Sequence, residues 1–363
     1  MIQTEVRGAP VYYACEPGVL DQLDELLQRY NKKNCLVLHG EKSWNAISPY
    51  FPKSINYASL TFMPYNGECS LNEISRIAEI VKENNFDTII GIGGGKVLDI
   101  AKASAHDAQV DVILIPTLAS TCAAWTPLSV IYTDDGVFTH YTIFPKSILM
   151  VLFEPRVLLQ SPTDYFIAGI GDTLAKWYEA DAIIRELEDI PLVVKIAHQS
   201  ALLCRDVLLK HGEQAIKDQR EGILTSALQQ VMETNIVAGG MVGGFGDKFG
   251  RISGAHSIHN ALTTQEETHH LLHGAKVAYG ILIQLMLEEN SAEVMKLKSF
   301  YKNLALPLTL KDLGLTIDQP EKLRQIAEAA TIEKESIHLL KKEITAEKVL
   351  QAIYDLEELF QKK

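Results

Sequence analysis

Apolar and polar positions follow two alternating patterns in the first half of the chain. Short runs of consecutive apolar residues predict buried strands at residues 11–13, 35–38, 88–92 and 112–116. Between them, apolar residues recur at helical spacing and predict helices over residues 18–30, 71–84 and 97–105. Buried strands that alternate with helices are typical of a parallel sheet covered on both faces.

The pattern changes at about Ser161, after which helical periodicity dominates to the C-terminus. We expect breaks at the glycine-rich residues 239–254 and at the Leu306-Pro307 and Gln319-Pro320 pairs. Because 363 residues exceed what one core usually fills, we predict two domains. Residues 1–160 form an α/β domain with a parallel sheet, and residues 161–363 form an all-α domain.

Composition narrows the class of protein. Hydrophobic residues make up 47% of the chain and charged residues 22%, as in ordinary globular proteins. A net charge of −12 argues against nucleic acid or an anionic membrane as partner. The five cysteines lack C-x-x-C spacing, and neither a signal peptide nor a membrane-length apolar run is visible. We therefore expect a cytoplasmic protein whose partner is a small molecule. A homo-oligomer, a dimer or larger, is a separate expectation.

Residues 253–280 carry a cluster of histidines, namely His256, His259, His269, His270 and His273. Such clustering favours a metal or proton-transfer site, because neutral imidazole is the commonest nitrogen ligand of divalent metals. His269 and His270 also fit a solvated loop, and His259 also fits packing against a neighbour. His256 and His273 lie beside small residues that leave room for a ligand. Asp172, which follows a predicted Gly-Ile-Gly turn at the start of a helix, is the best candidate for a third ligand.

A glycine-rich segment, GIGGGKVLD at residues 91–99, follows one predicted strand and opens a helix. Free backbone N–H groups and the helix dipole at such a position favour a phosphate. The segment is not a Walker A loop, since Val97 follows Lys96, and Lys96 replaces the last glycine of the Rossmann fingerprint. Alone it does not establish dinucleotide binding; together with the histidines and Asp172 it favours a dinucleotide-dependent enzyme.

Six segments carry a resemblance to a known family: GIGGGKVLDIAK, IPTLAST, LSVIYTDDG, GIGDTLAKWYEA, GAHSIHNALT and LHGAKVAYG. Their order and spacing resemble the glycerol dehydrogenase branch of the iron-containing alcohol dehydrogenases. The resemblance implies a dehydroquinate-synthase-like fold, an NAD(P) site on the first domain and a catalytic divalent metal on the second.

The resemblance also implies which residues form the sites. The implied metal ligands are Asp172, His256 and His273. The implied cofactor contacts match eight positions: Gly94, Gly95, Lys96, Thr117, Ser120, Thr126, Leu128 and Tyr132. Iron-using members of the family have a histidine four residues after the aspartate, where this chain has Lys176. Three protein ligands with an open fourth position is the pattern of catalytic zinc, so we predict zinc, with iron as an alternative.

The substrate is suggested by a departure from the glycerol dehydrogenase branch, which has an aspartate after Ala-Ser-Thr, implied to contact a substrate hydroxyl. This chain has Cys122 there, and its CAAWTP and LAKWYEA runs resemble the hydroxycarboxylate dehydrogenases of the same family. Lys176 lies on the same helical face as Asp172 and can bind a substrate carboxylate, although a solvated or Glu179-paired lysine fits equally. Cys122 also fits a small buried apolar residue, and His259 fits either a proton relay or the core.

The predicted function is metal-dependent, NAD(P)H-dependent reduction of small 2-oxo acids to 2-hydroxy acids. A glycerol or related polyol dehydrogenase is the alternative. A dehydroquinate-synthase-like lyase lacks the expected basic residues, and a binding protein would be expected to lose a metal ligand. NADP is favoured over NAD because Gly40 stands at the end of the second strand, where an acid commonly binds the ribose of NAD. There Lys42 can pair with the extra phosphate, whereas Glu41 opposes it.

Overall fold

The computed structural model describes residues 4–250, 252–340 and 342–361, which divide into two compact units. The sheet unit comprises Arg7–Pro162 and Asp218–Thr225. The helical unit comprises Thr163–Lys217 and the described residues from Ser226 onward, together with residues 4–6. The assignment of residues 1–160 and 161–363 to two domains stays a prediction. In the structure, residues 218–225 group with the sheet unit although they lie in the second predicted domain.

The sheet unit is built on parallel strands, which confirms the predicted fold class. Its strands are β1 (Tyr12–Cys15), β2 (Asn34–His39), β3 (Ser59–Pro64), β4 (Thr88–Gly93), β5 (Asp111–Pro116), β6 (Leu128–Tyr132), β7 (Phe138–Ile143) and β8 (Met150–Phe153). In the described residues, six of them form one parallel sheet in the order β1-β8-β5-β4-β2-β3, and β6 pairs with β7 as an antiparallel ribbon. Its α-helices are α1 (Leu23–Arg29), α2 (Glu41–Ile47), α3 (Leu71–Glu83) and α4 (Gly95–Ala108).

The central strands are the ones that the apolar pattern locates. The predicted strands at residues 35–38, 88–92 and 112–116 lie within β2, β4 and β5, which are buried on both faces. The pattern misses β3 because it is an edge strand whose residues are all exposed or half-buried. It also misses β8 and the β6–β7 ribbon. The segment predicted as one helix over residues 18–30 is a 3₁₀ turn, Val19–Gln22, followed by α1.

The described part of the helical unit contains α-helices and short 3₁₀ or π segments. Its α-helices are α5 (Thr163–Ile184), α6 (Leu192–Glu221), α7 (Ser226–Glu233), α8 (Gly239–Gly246), α9 (Gly254–Leu262), α10 (His273–Leu287), α11 (Ser291–Leu304), α12 (Pro320–Ala330) and α13 (Ala346–Gln361). The last turn of α6 groups with the sheet unit. Among the described helices, none is both long and apolar enough to span a membrane.

Two predictions about glycines need correction. The break predicted over residues 239–254 is confirmed only for its second part. Gly239–Gly246 form α8, which continues from α7 through a π-helical turn, Thr234–Ala238, and the break lies between the end of α8 and the start of α9 at Gly254. The Gly-Ile-Gly sequence before Asp172 is not a turn but lies inside α5. Position 171 needs a glycine because the backbone of α10 comes too close to leave room for a side chain. An added Cβ at Gly171 would lie 2.5 Å from the carbonyl oxygen of Gly274 on α10.

Candidate active site

Three helices of the helical unit bring Asp172, His256 and His273 together. Asp172 lies midway along α5, His256 lies in the first turn of α9, and His273 begins α10, which packs against both other helices. The crossings are close because they are made by glycines. An added Cβ at Gly280 would lie 2.3 Å from the carbonyl oxygen of Ala255, so α9 and α10 meet backbone to backbone.

The three side chains present their ligand atoms to one point. Asp172 Oδ1 lies 3.3 Å from His256 Nε2 and 3.4 Å from His273 Nε2. One ligand atom from each residue lies within 4.8 Å of the others. Asp172 Oδ1 is buried and makes no hydrogen bond, although buried polar atoms are nearly always paired. A divalent cation would satisfy this oxygen and both imidazole nitrogens, and this donor set suits zinc.

The triad is closed on one side and open on the other. Asp172 and His256 are buried, whereas 48% of the His273 side chain is exposed. A cation held by these three residues would therefore have its remaining coordination position on the accessible side. Three protein ligands with one open position distinguish catalytic from structural zinc sites.

The electrostatics of the triad favour a bound cation. Burial alone would raise the pKa of the Asp172 carboxyl, but the Lys176 ammonium and the two imidazole rings hold that pKa well below its usual range. Burial opposes protonation of His256, but the carboxylates of Glu179 and Asp172 outweigh it and raise the pKa of His256 to about 9. Without metal, His256 therefore holds a proton at neutral pH, which a bound cation would displace.

Glu179 is a residue of this site that the sequence reasoning missed. It is buried on α5, and its Oε2 accepts a hydrogen bond from His256 Nδ1 at 2.7 Å. Its Oε1 accepts from the backbone N–H groups of Ser253 at 2.7 Å and of His256 at 2.9 Å. The available signal was its spacing, since seven residues after Asp172 is two helical turns along the same face.

The other histidines of the cluster separate into two groups. His259 is buried, and its ring centroid lies 4.1 Å from that of His273 in an edge-on contact. Burial and the two neighbouring imidazoles hold the pKa of His259 well below its usual value, so its ring is neutral. His269 and His270 are exposed and contact the backbone carbonyls of Thr263 and Glu267. They lie outside the triad, as the solvated-loop alternative expected.

Lys176 lies one helical turn after Asp172 and is half-buried. Its ammonium is near enough to lower the pKa of both Asp172 and Glu179. The two carboxylate oxygens of Glu179 accept hydrogen bonds from Ser253 and His256. The Lys176 ammonium therefore lies beside the triad, on α5, the helix that also carries Asp172.

In the sheet unit, the predicted cofactor residues gather at the carboxyl ends of adjacent strands. Gly40 follows β2, Gly94 follows β4 and Thr117 follows β5, and these three strands are neighbours in the sheet. The Ser43 hydroxyl joins two of the ends by donating to the carbonyl of Ile92 at 2.9 Å. The next strand after β2 in the chain, β3, lies beside β2 on one side, whereas β4 lies on its other side and β5 continues away from β2 in that direction. The boundary between β2 and β4 is therefore a topological switch point, and nucleotides bind at such points in open α/β sheets.

The glycine-rich segment forms the start of α4 as predicted, with Gly94 as its N-cap and Gly95 as its first residue. An added Cβ at Gly94 would lie 3.0 Å from Leu118 Cδ1, in the segment after β5. Lys96 is exposed, pairs with Glu68 and lies 5.9 Å from the centroid of the Tyr132 ring. The N-terminus of α4 and this lysine offer donors that suit a pyrophosphate.

The segment after β5 is fixed by a buried lysine that the sequence reasoning also missed. Lys102 of α4 pairs with Asp99 at 2.8 Å and donates to the backbone carbonyls of Ala123, Thr126 and Leu128. Thr126 and Leu128 were predicted as cofactor contacts, so this lysine holds part of the predicted site.

The remaining predicted residues of the sheet unit lie on the same stretch of chain. Ser120 and Cys122 are both half-buried, and Cys122 begins the 3₁₀ turn Cys122–Ala124 that lies between β5 and β6.

The space beside Gly40, at the end of β2, is partly filled by neighbouring side chains. An added Cβ there would lie 3.3 Å from Cε1 of the Tyr65 ring and 3.4 Å from the Ser43 hydroxyl.

The fold and the sequence as a whole are similar to those of known proteins. Residues 10–152 match the family model of iron-containing alcohol dehydrogenases. The chain is 37% identical to hydroxycarboxylate dehydrogenase A of Escherichia coli (strain K12), over 96% of each chain. It is 34% identical to glycerol dehydrogenase of Thermotoga maritima, over 95% of this chain and 94% of the relative. The crystal structure of glycerol dehydrogenase from Schizosaccharomyces pombe superposes with a TM-score of 0.87 at 30% identity, covering 99% of this chain and 92% of that chain.

The protein is thus a two-unit oxidoreductase with a parallel sheet and a helical part. It belongs to the iron-containing alcohol dehydrogenase family, and it acts on CH–OH groups with a nicotinamide cofactor. This confirms the predicted family and class of enzyme.

Proposed function

We propose that the protein reduces small 2-oxo acids to 2-hydroxy acids with NAD(P)H and a divalent metal held by Asp172, His256 and His273. The ligand set and the buried Asp172 oxygen that makes no hydrogen bond support zinc. A bound zinc ion would supply Lewis acidity that polarises the carbonyl group of the substrate. The protein would supply orientation, charge and a route for the proton.

The observation that carries this proposal is the position of Lys176. Its positive charge acts on Asp172 one helical turn away, so a cationic group stands beside the atoms that would hold the metal. A 2-oxo acid has its carboxylate next to its carbonyl, and an ammonium beside the metal site would pair with that carboxylate while the carbonyl faces the metal. The full-length similarity to a hydroxycarboxylate dehydrogenase points in the same direction.

Two further residues complete the proposal. His259 is neutral, and its Nδ1 lies 3.0 Å from Asn260 Oδ1, which leaves Nε2 available to exchange a proton. Cys122 stands at the position where the polyol enzymes resembled by this sequence have an aspartate. A neutral thiol there avoids the repulsion that a second carboxylate would exert on an anionic substrate.

For the cofactor, we propose a site formed by Gly40, the N-terminus of α4 and the segment from Thr117 to Tyr132, with preference for NADP(H). Lys42 is exposed next to the end of β2, where it can pair with the extra phosphate of NADP. We expect Lys42→Met to raise KM for NADPH and to leave KM for NADH unchanged. A wild-type enzyme with strong preference for NAD would contradict this part of the proposal.

A glycerol dehydrogenase is the second candidate, because a glycerol dehydrogenase also matches nearly the whole chain. The decisive measurement is steady-state turnover, followed by nicotinamide absorbance. Reduction of 2-oxobutanoate, 2-oxoglutarate and dihydroxyacetone would be compared with oxidation of glycerol. We expect the 2-oxo acids to be the best substrates. Efficient glycerol oxidation with negligible reduction of 2-oxo acids would reverse the order of the two candidates.

Lys176→Met tests whether Lys176 binds the substrate carboxylate, separately from whether the enzyme reduces 2-oxo acids at all. A charge-assisted hydrogen bond is worth about 1.5–3 kcal/mol, so its loss should lower kcat/KM for a 2-oxo acid by roughly 10- to 100-fold. The neutral dihydroxyacetone should be affected much less, so the ratio of the two values is the readout. Lys195→Met, at an exposed lysine of α6, is the control. An unchanged ratio would remove the role of Lys176 without affecting the metal assignment.

A further inference from the structure

Glu179 uses both of its carboxylate oxygens, and it uses them for two different purposes. Oε1 accepts the backbone N–H groups of Ser253 and His256 at the start of α9, where helical N–H groups have no partner within the helix. Oε2 accepts from the imidazole Nδ1 of His256 at 2.7 Å. One buried side chain on α5 therefore fixes both the backbone and the ring of a residue on α9.

The contact with Nδ1 decides which nitrogen of His256 is available. A carboxylate can only accept hydrogen bonds, so it holds a proton on Nδ1. The nitrogen that gives up its proton to become a ligand is then Nε2, which is the atom that faces Asp172 at 3.3 Å. The same contact limits rotation of the ring about its Cβ–Cγ bond.

We propose that Glu179 is a positioning residue that prepares His256 to bind metal through Nε2. The inference rests on the proposed metal site and extends it to a residue that would not touch the metal. Hydrogen bonds of this type fix the tautomer and orientation of a histidine ligand, and their loss typically weakens metal binding by about 10- to 100-fold.

A second buried side chain provides a matched comparison, because it caps the same helix end without touching the ring. Gln284 of α10 accepts the backbone N–H of Ala255 at 3.0 Å and contacts the Ser253 hydroxyl at 3.3 Å. If Glu179 only capped α9, replacing either residue would have the same kind of effect. A positioning role predicts that only the replacement of Glu179 changes metal affinity.

Glu179→Gln is the test variant because glutamine has nearly the same shape but one acceptor and one donor. If its oxygen keeps the two backbone N–H groups, its amide N–H faces Nδ1 of His256, and the ring proton must move to Nε2. If the amide turns around, its N–H groups face the backbone N–H groups instead. Gln284→Met, which removes a cap acceptor at similar volume, is the control.

Two quantities are measured on metal-free protein: zinc affinity by competition with a chromophoric chelator, and thermal unfolding. We expect Glu179→Gln to bind zinc roughly 10- to 100-fold more weakly than wild type. Gln284→Met should lower the unfolding temperature and leave zinc affinity unchanged. Equal zinc affinity in Glu179→Gln and wild type would overturn the inference, as would an equal loss of affinity in both variants.

If Glu179→Gln does not fold, Glu179→Asp takes its place, since aspartate keeps the acceptors and shortens their reach. Weaker zinc binding and an altered visible spectrum of the cobalt-substituted protein would support the positioning role, and wild-type values for both would overturn it. Failure of the proposed function has a different signature. In that case the wild-type protein itself binds no zinc, whatever residue stands at position 179.

Discussion

Gly274 lies so close to Ala168 that an added Cβ on Gly274 would stand 1.8 Å from the Ala168 carbonyl oxygen. Gly274 follows His273 at the start of α10, and Ala168 precedes Asp172 on α5 by one helical turn. The distance between two members of the triad is therefore set by a backbone contact that only glycine permits.

The first prediction concerns this contact. Gly274→Ala should force α5 and α10 apart and destabilise the protein by about 1–3 kcal/mol, the usual cost of overpacking. It should also weaken zinc binding, because His273 moves with the start of α10. Urea unfolding and chelator competition measure the two effects. Ala275→Ser, at the half-buried next position, is the control. Zinc affinity that survives Gly274→Ala would show that the crossing does not set the triad.

The sequence was most informative where one segment alone carries the signal. The central strands β2, β4 and β5 are predicted because strands buried on both faces are apolar throughout. The triad was found from residue types and their small neighbours. Gly171 was misread as part of a turn because the reason for a glycine in α5 is the backbone of α10, about a hundred residues away.

The supporting residues were missed for a related reason. Glu179 and Lys102 are charged residues on helices, and most such residues face solvent. The spacing from Asp172 places Glu179 on the ligand face of α5, but spacing alone does not show that either side chain is buried. Glu179 finds its partners on α9, and Lys102 finds carbonyl groups in the segment after β5. Their roles depend on contacts between distant segments, and the local sequence pattern does not show those contacts.

The second prediction concerns Lys102. Lys102→Met should leave the buried Asp99 carboxylate without its partner and cost about 3–5 kcal/mol in the free energy of unfolding. The segment that carries Thr126 and Leu128 should loosen, which raises KM for the nicotinamide cofactor. The double variant Asp99→Asn with Lys102→Met should be less destabilised than the sum of the two single changes. Additive losses would show that the two side chains do not act as a pair.

The third prediction is a pH dependence of stability that arises from Glu154. This buried carboxylate accepts from the Gly18 N–H at 2.7 Å and pairs with Arg156. Burial opposes its ionisation, but Arg156 and the N–H groups outweigh burial and hold its pKa below the ordinary value of 4.5. Since the folded pKa is the lower one, the stabilisation is present above pH 4.5 and is lost as pH falls through the folded pKa.

Glu154→Gln should remove this dependence. The difference in unfolding free energy between wild type and variant should be constant near neutral pH and should shrink below about pH 4.5, as measured by urea unfolding across that range. Glu25→Gln, in an exposed pair with Arg29, is the control and should show no such change. A difference that stays constant into acid would mean that Glu154 does not contribute through its charge.

The last prediction tests the metal site with two histidines from one short segment. His273 belongs to the triad, whereas His270 lies three residues earlier, is exposed and contacts the Glu267 carbonyl. His273→Ala removes one of three proposed ligands, so its zinc affinity should fall by more than the roughly 100-fold that loss of a supporting hydrogen bond can cost. His270→Ala should bind zinc as wild type does. Treatment with a chelator should abolish turnover of the wild-type and His270→Ala enzymes, and added zinc should restore it.

Because the open side of the triad lies at His273, the loss of this ligand should abolish turnover even where excess zinc refills the site. Full activity and stoichiometric zinc in His273→Ala would refute the assignment of the triad.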